Sequence, residues 1–302
     1  MAGRVRYSGN GMQGRPFRTN PRLVRSGLAS EEFFEMTPVI FKGRLVLLAS
    51  AHKDSALNPY DERCLWIEDV ATGDVVSTFA EGFGLGSAFV DADVLYVYAI
   101  PNDSRGAKRI ECFRSTDLRS WDSYTVLEAL PGEELFNETV CLADGRYIMA
   151  YESRDAHYPP FTIYFAESSD LVAWKRIPGA VYGTDRYTAC PTIRYVDGMF
   201  YMLYLEHRKP QWWFETFLTR SSDLLRWEQA PKNPVLDPEG IEDINTSDID
   251  IVEYADNSGA PRVRAYYATG NQKTWGTVTW ADFDGTQSEF FDWYYPQNGR
   301  IG

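Results

Sequence analysis

The sequence predicts an all-β fold, a five-bladed β-propeller of four-stranded antiparallel blades, and three observations support this. The phrase Ser-Ser/Thr-Asp-Leu-x-x-Trp occurs at 115–121, 168–174 and 221–227, each copy 53 residues after the previous one. Short runs rich in Val, Ile, Tyr and Phe alternate with turn residues, and no window keeps a 3.6-residue period. After a non-repetitive start of about 34 residues, the chain is long enough for roughly five such units. A repeat of this length indicates one supersecondary unit that packs against its own copies, and a ring of blades fits best.

The repeated phrase is best explained as a tight turn between the two outer strands of a blade. Each copy follows an alternating strand, at 110–113, 163–166 and 216–219. Ser, Thr and Asp side chains hydrogen-bond the local backbone in turns, and the Trp opens the next strand. We therefore predict that the Asp and Trp residues of the phrase are structural.

A hairpin precedes each turn phrase and supplies the two inner strands. Asp-Gly between alternating hydrophobic residues is the strongest short-range hairpin signal, and it occurs at 144–145 and 197–198. The other blades have Lys42-Gly43, 91–93 and a longer loop at 256–259 at this place. The predicted organisation is an N-terminal arm at 1–34 and one propeller domain at 35–302, closed by 290–295. The predicted blades are approximately 35–80, 84–128, 135–180, 187–236 and 245–296.

Charge restricts the partners of this 302-residue chain. A net charge of −13 argues against nucleic acid and against an anionic membrane. The first 30 residues contain six Arg and no acid, a local charge of +6 that leaves −19 on the remainder. Such a basic arm could lie on an acidic body, its own or a neighbouring subunit's, so a homo-oligomer formed through the arm is one interpretation. Disorder or simple surface packing of the arm is the other.

The start of the chain and its apolar runs predict a cytoplasmic location, and its cysteines predict buried thiols. The first residues lack the apolar core of a secretory signal, and no run approaches 18 apolar residues. The four cysteines fall in or beside separate predicted strands, without the close pairing of a zinc site. Buried thiols and no cofactor are therefore expected, although a structural cation in the central channel is compatible with the sequence.

Strand geometry places a candidate site at one end of the channel. The first strand of a blade runs along the channel and the second returns antiparallel, so the start of the first and the end of the second share one face. Aligned on the hairpin turn, two rows with the same side-chain parity face this opening. The outer row holds Glu35, Leu85, Asn137, Cys190 and Asp248, and the inner row holds Thr37, Ser87, Thr139, Thr192 and Asp250. The ends of the second strands and the following loops add His52, Glu152, Arg154, His157, Glu206, His207, Arg208, Trp212 and Gln272.

Convergent acids with aromatic platforms suit sugar recognition and glycosidic cleavage, which needs a proton donor and a second carboxylate. Glu35 is the strongest candidate because its apolar neighbours would raise its pKa by desolvation. Asp248 and Asp250 share one face of one strand. Glu138 is well located for a proton donor but is off parity with Glu35, and His207 is an alternative acid. Arg186 could bind substrate or could equally form a structural ion pair with Asp185.

The turn phrases and the strand-Asp-Gly-strand hairpins, over roughly residues 35–295, resemble those of the five-bladed propeller glycoside hydrolases, the superfamily with families 43, 32, 62, 117 and 130. The resemblance implies an acidic base at the start of the blade-one strand, which Glu35 matches although Asp is usual. It also implies a Glu acid at the blade-three entrance, where Glu138 lies. Family 43 has an Asp at the blade-two entrance, and here Gly86-Ser87 stands there. The stretches 185–191 and 245–250 look like those of a poorly characterised bacterial branch.

These observations predict an exo-acting, inverting glycoside hydrolase with its pocket at the propeller axis and an oligosaccharide or glycoside as substrate. Glu35 is the expected general base, Glu138 or His207 the general acid, and Asp248 and Asp250 orient and tune them. Two alternatives stay open. A glycoside phosphorylase would hold phosphate with Arg154, Arg186, His207 or Arg208. A noncatalytic carbohydrate-binding propeller would explain the missing blade-two acid.

Overall fold

The protein is a ring of five four-stranded antiparallel sheets, as the sequence predicts. The computed structural model describes residues 23–30, 33–51, 63–101, 107–159, 161–208, 213–271 and 277–296. Blades one and two contain β2 Phe33–Phe41, β3 Arg44–Ala51, β4 Leu65–Asp69, β5 Asp74–Phe79, β6 Phe83–Asp91, β7 Val94–Pro101, β8 Arg109–Ser115 and β9 Asp122–Glu128. Blades three and four contain β10 Glu134–Ala143, β11 Arg146–Arg154, β12 Thr162–Ser168, β13 Lys175–Tyr182, β14 Thr188–Val196, β15 Met199–Arg208, β16 Trp213–Ser221 and β17 Glu228–Gln229. Blade five contains β18 Thr246–Ala255, β19 Pro261–Thr269, β20 Thr277–Asp284 and β1 Val24–Ser30.

The ring is closed by the N-terminal strand β1, which pairs antiparallel with β20 as the outermost strand of blade five. The sequence pattern instead places this strand in the arm and predicts that 290–295 closes the ring, and both predictions are wrong. Residues Gln287–Tyr294 instead form the helix α1. A capping box between Thr286 and Glu289 starts this helix, and its apolar residues Phe290, Phe291 and Tyr294 are buried in the core shared by blades four and five.

Strand β1 gave a weak sequence signal because its inward face is not apolar. Val24 and Leu28 are 64% and 47% exposed, whereas Arg25 turns inward. The guanidinium of Arg25 bonds the carboxylate of Glu242 at 2.8 Å, that of Glu239 at 2.7 Å and the carbonyl of Asp237 at 2.8 Å. Glu242 lies in a short 3-10 helix, Gly240–Glu242, just before β18. A polar clamp therefore fixes the closing strand to its blade.

The repeated phrase forms the predicted turn between third and fourth strands. In the first copy, the Ser115 hydroxyl accepts the Leu118 N–H at 2.8 Å, and the Asp117 carboxylate accepts the Ser120 N–H at 2.9 Å. The Leu of each copy has a φ of 63–66°. The Trp packs on the preceding blade, as when Trp121 stacks on Phe79 with ring centroids 3.7 Å apart. The phrase thus joins neighbouring blades, and its role is structural.

The apolar core consists of five clusters, each shared by two neighbouring blades. Within the described part of the chain, no helix is long and apolar enough to cross a membrane.

A β-bulge interrupts the first strand of every blade near its start. The ladder between first and second strands shifts register between Phe33 and Glu35 in blade one, and about one residue further along the strand in the other four blades. A residue with positive φ stands at the bulge in four blades, namely Leu85, Asn137, Cys190 and Asp248, with φ of 53°, 36°, 49° and 51°. A bulge breaks the strict alternation of side chains, so successive residues can face the channel here.

Candidate active site at the propeller axis

The bulges surround a small cavity on the axis. Three consecutive residues from each blade line it, and its volume is about 40 Å³. That volume holds a few waters and is too small for a sugar ring. The row predicted for the outer position is half-buried and forms a mouth ring, which consists of Glu35, Leu85, Asn137, Cys190 and Asp248. The inner row is buried below it and consists of Thr37, Ser87, Thr139, Thr192 and Asp250.

Glu35 and Asp248 are the two carboxylates of the mouth ring, and they come from adjacent blades. Burial raises the pKa of Glu35 well above its usual value, and the charge of Asp248 raises it further, while Arg63 opposes both effects. Burial also raises the pKa of Asp248, although hydrogen bonds from the Cys190 thiol and the Ser247 hydroxyl lower it. Two carboxyl groups that share one low-dielectric site cannot both ionise easily, so the pair is suited to divide acid and base roles.

Glu152 belongs to the same cluster, although the sequence pattern places it on the rim without assigning it a role. Its carboxylate accepts the Asn137 side-chain N–H at 2.9 Å and the Cys190 backbone N–H at 2.9 Å. Burial raises the pKa of Glu152 to about 7, and these hydrogen bonds oppose the rise. Glu152 thus fixes the mouth residues of blades three and four. Its place at the end of a second strand predicts its position on the rim, but no local pattern predicts these contacts between blades.

Glu138 lies in the cavity wall but its carboxyl group does not open into the cavity. The residue is 2% exposed, and both oxygens are inaccessible and lack a hydrogen bond of good geometry. Burial raises its pKa to about 8, although the backbone N–H groups of Ser87 and of Glu138 itself lower it. The carboxyl therefore faces the seam between blades two and three, next to the cavity.

Asp250 is held by an ion pair with Arg194 of the neighbouring blade. Its carboxylate also accepts the backbone N–H of Ile251 at 2.6 Å. Burial raises the pKa of Asp250 and Arg194 lowers it. This arrangement ties blade five to blade four and supports the inner row from below.

Two rim arginines whose side chains are described, Arg154 and Arg186, are paired with acids. Arg154 binds the carboxylate of Glu134 with two nitrogens. Arg186 bonds Glu206 at 2.8 Å and Asp185 at 2.7 Å. The structural alternative for Arg186, an ion pair with Asp185, is therefore present, and Glu206 is its second partner.

His207 lies one aromatic ring away from the cavity. Its imidazole stacks on Phe214 at 4.5 Å and meets Tyr187 edge-on at 6.0 Å between ring centroids. The pKa of Tyr187 is raised by burial and then by Cys190, Glu152 and Asp248, so Tyr187 borders the acidic cluster. His157 is exposed on the loop after β11, where its backbone N–H bonds Asp155 at 2.7 Å. His52, Trp212, Gln272 and the side chain of Arg208 lie outside the described residues.

The cysteines agree only in part with the expectation of buried thiols. The cysteines of the described chain are free, and three of them are buried, but Cys190 is half-buried in the mouth ring. Among the described residues, no group of three or more His, Cys, Asp or Glu side chains is arranged to hold a metal ion. A cation in the channel stays a prediction.

Comparisons with known proteins identify the fold. No family profile matches the chain, and no curated protein is similar to it in sequence. In structure it is similar to a thermostable family-43 glycoside hydrolase, with 15% identity over 86% of this chain and 91% of that one and a TM-score of 0.64. It is also similar to the catalytic domain of a Coprinopsis cinerea family-62 alpha-L-arabinofuranosidase, with 12% identity over 87% of this chain and 96% of that one and a TM-score of 0.64. A third similar structure is an N-acetylgalactosamine deacetylase from F. plautii in complex with blood group B trisaccharide. It has 14% identity over 92% of this chain and 95% of that one, with a TM-score of 0.60. The chain therefore has the five-bladed fold of these carbohydrate-active proteins, as its turn phrases predicted.

Proposed function

We propose that this five-bladed propeller is a glycoside hydrolase that uses Glu35 and Asp248 as its acid/base pair. The observation that carries the proposal is the mouth ring, where these two carboxyl groups from adjacent blades face one cavity and both have raised pKa values. Glycosidic cleavage needs such a pair, one group protonated and the other ionised. Structural similarity to glycoside hydrolases of families 43 and 62 supports the same class of reaction.

Glu35 is better suited to donate the proton than to accept it. Burial and the charge of Asp248 raise its pKa well above the usual value, and this favours its protonated form. Asp248 accepts hydrogen bonds from Ser247 and Cys190 that stabilise its ionised form. These roles reverse the assignment of Glu35 as base that the family resemblance implies. In this scheme neither Glu138 nor His207 contacts the substrate. Both carboxyl oxygens of Glu138 are inaccessible from the cavity, and the ring of Tyr187 lies between His207 and the acidic cluster.

The shape of the site supports an exo mode of attack. The cavity is too small for a sugar ring, so a terminal residue would rest over the mouth with its scissile bond directed inward. Inversion requires space for a water between the carboxyl groups, which are then about 6.5–9.5 Å apart. The cavity of about 40 Å³ that both residues line has room for such a water. The scheme uses side chains of this chain alone and calls for no cofactor.

The two alternatives differ in how well they agree with the rim. A phosphorylase would need free cations for phosphate, but Arg154 and Arg186 already pair with Glu134 and Glu206. A noncatalytic binding propeller is favoured by Leu85 and Gly86, which leave blade two without an acid at the mouth. Product formation separates this alternative from the hydrolase.

The decisive experiment combines a broad panel of aryl glycosides and oligosaccharides with three variants. Glu35→Gln and Asp248→Asn should each lower kcat by about 10²–10⁴-fold on the substrate found, since each removes one proton-transfer group. Glu167→Gln is the matched control and should keep full activity. It removes an exposed carboxylate of β12 that pairs with Arg146 of β11. Proton NMR of the first-formed anomer tests inversion. Full activity of Glu35→Gln, or tight glycan binding without any product, would reject the proposal.

A further inference from the structure

The face opposite the candidate active site carries a second and larger cavity, here called the funnel. It lies where the first strands of the five blades end and has a volume of about 310 Å³, within the range of about 300–1,000 Å³ of ligand pockets. Most of its lining residues are apolar, among them Val39, Phe89, Leu142 and Val252. Ile40 and Leu142 are 37% and 45% exposed there. An apolar concavity rimmed by polar residues typically marks an interaction site.

The rim of the funnel is acidic. The hairpins around it carry Asp91, Asp93, Asp144 and Asp197, and Glu253 is exposed in its wall. Two cations of these hairpins are neutralised elsewhere, because Arg44 pairs with Asp69 and Arg146 pairs with Glu167. Lys42 keeps its charge, since its amino group bonds only the carbonyl of Thr116, and the acids outnumber it. Arg194 pairs with Asp250. The rim therefore favours a cationic partner.

The chain itself supplies a segment of matching chemistry that begins at this face. Strand β1 starts at Val24, which pairs with Asp282 near the end of β20 on the funnel side. The residues before it, 1–22, contain five Arg and no acid, and include Val5, Tyr7 and Phe17. Three strand spacings of about 4.8 Å separate β1 from the first strand of its blade. A chain that extends about 3.3 Å per residue covers this distance with five or six residues.

We propose that residues 1–22 dock in the funnel of their own propeller, with apolar side chains in the cavity and arginines on the acidic rim. The position where the segment joins β1, its length, its charge and the apolar wall all favour this occupant over an external protein. The proposal is independent of the enzymatic activity. Its consequence is that the funnel of the whole chain is covered.

The test measures the accessibility of a thiol placed in the funnel of the full-length chain. Leu142→Cys replaces an exposed funnel residue, and Val75→Cys replaces a residue of similar exposure, 38%, on the outer strand β5. Both are made in the wild-type chain and in one with Arg4, Arg6, Arg15 and Arg18 changed to Ser. Maleimide labelling is followed at each cysteine by mass spectrometry of peptides, at low and high salt.

The proposal expects Cys at 142 to react at least about fivefold more slowly in the wild-type arm than in the serine variant. Added salt should reduce this protection because salt screens charge pairs, and Cys at 75 should react equally in every form. Equal labelling rates of the cysteine at 142 with the wild-type segment and with the serine variant would overturn the proposal. Protection that is lost on dilution would also overturn it, because the funnel would then be filled by the arm of a second copy.

Discussion

Replacing Arg25 with Ala is expected to destabilise the propeller because it removes the cation that faces a buried carboxylate. Glu242 is 2% exposed, and its remaining partners are the hydroxyl of Tyr267 at 2.7 Å and the N–H of Glu239 at 2.9 Å. Loss of one partner of a fully buried pair costs about 3–5 kcal/mol. The side chain of Arg25 is 23% exposed, so solvent screens part of the charge and we expect about 2–4 kcal/mol.

Urea unfolding, followed by tryptophan fluorescence, measures this loss as a lower transition midpoint at unchanged slope. Arg262→Ala is the control, since its partners Asp256 and Asp284 have side chains that are 22% and 80% exposed, and each such surface pair contributes about 0–1 kcal/mol. In a Glu242→Gln background, Arg25→Ala should cost clearly less, because no buried charge is then stranded. A loss for Arg25→Ala no larger than that for Arg262→Ala would refute the clamp as the device that closes the ring.

Two further predictions concern the acidic cluster. Glu138 has a pKa of about 8 in the fold, raised by burial from 4.5, so its stabilising contribution is complete below about pH 4.5 and is lost as the pH rises through 8. Glu138→Gln should therefore gain stability relative to the wild type between pH 5 and 9 in thermal unfolding scans, and a constant difference would contradict the assigned burial. Burial and the charges of Asp248 and Glu152 raise the pKa of the Cys190 thiol. Alkylation of Cys190 by iodoacetamide at pH 7 should thus be slow and should accelerate in Asp248→Asn, whereas an unchanged rate would show that Asp248 does not control this thiol.

The fold was predictable because its local signals agree with its global arrangement. Ser115 and Asp117 make the turn hydrogen bonds that their spacing suggested, and the hairpins at Asp144 and Asp197 have the expected pairing. The closing strand was missed because its buried face is Arg25 and Gly27, which give no apolar alternation. The ion pair between Arg25 and Glu242 holds this strand in place, and residues so far apart in the sequence leave no local pattern.

The candidate site was predictable in position but not in detail. Period-two reasoning grouped Glu35 with Asp248, and both face the cavity. The same reasoning placed Glu138 off parity, but a bulge at Asn137 shifts the register there and brings Glu138 into the cavity wall. Single-residue bulges depend on twist and packing across blades, so a sequence pattern does not locate them. The network of Glu152 is likewise a contact between blades.

The bulges also bear on how the site could change over evolutionary time. The ladder resumes beyond each bulge whatever side chain stands on it, so one blade can exchange its contribution while the other four keep theirs. Left-handed backbone accommodates Asn and Asp more readily than Leu, and Leu85 holds such a conformation in blade two. Blade two is therefore the position from which a new polar function could arise while relieving backbone strain.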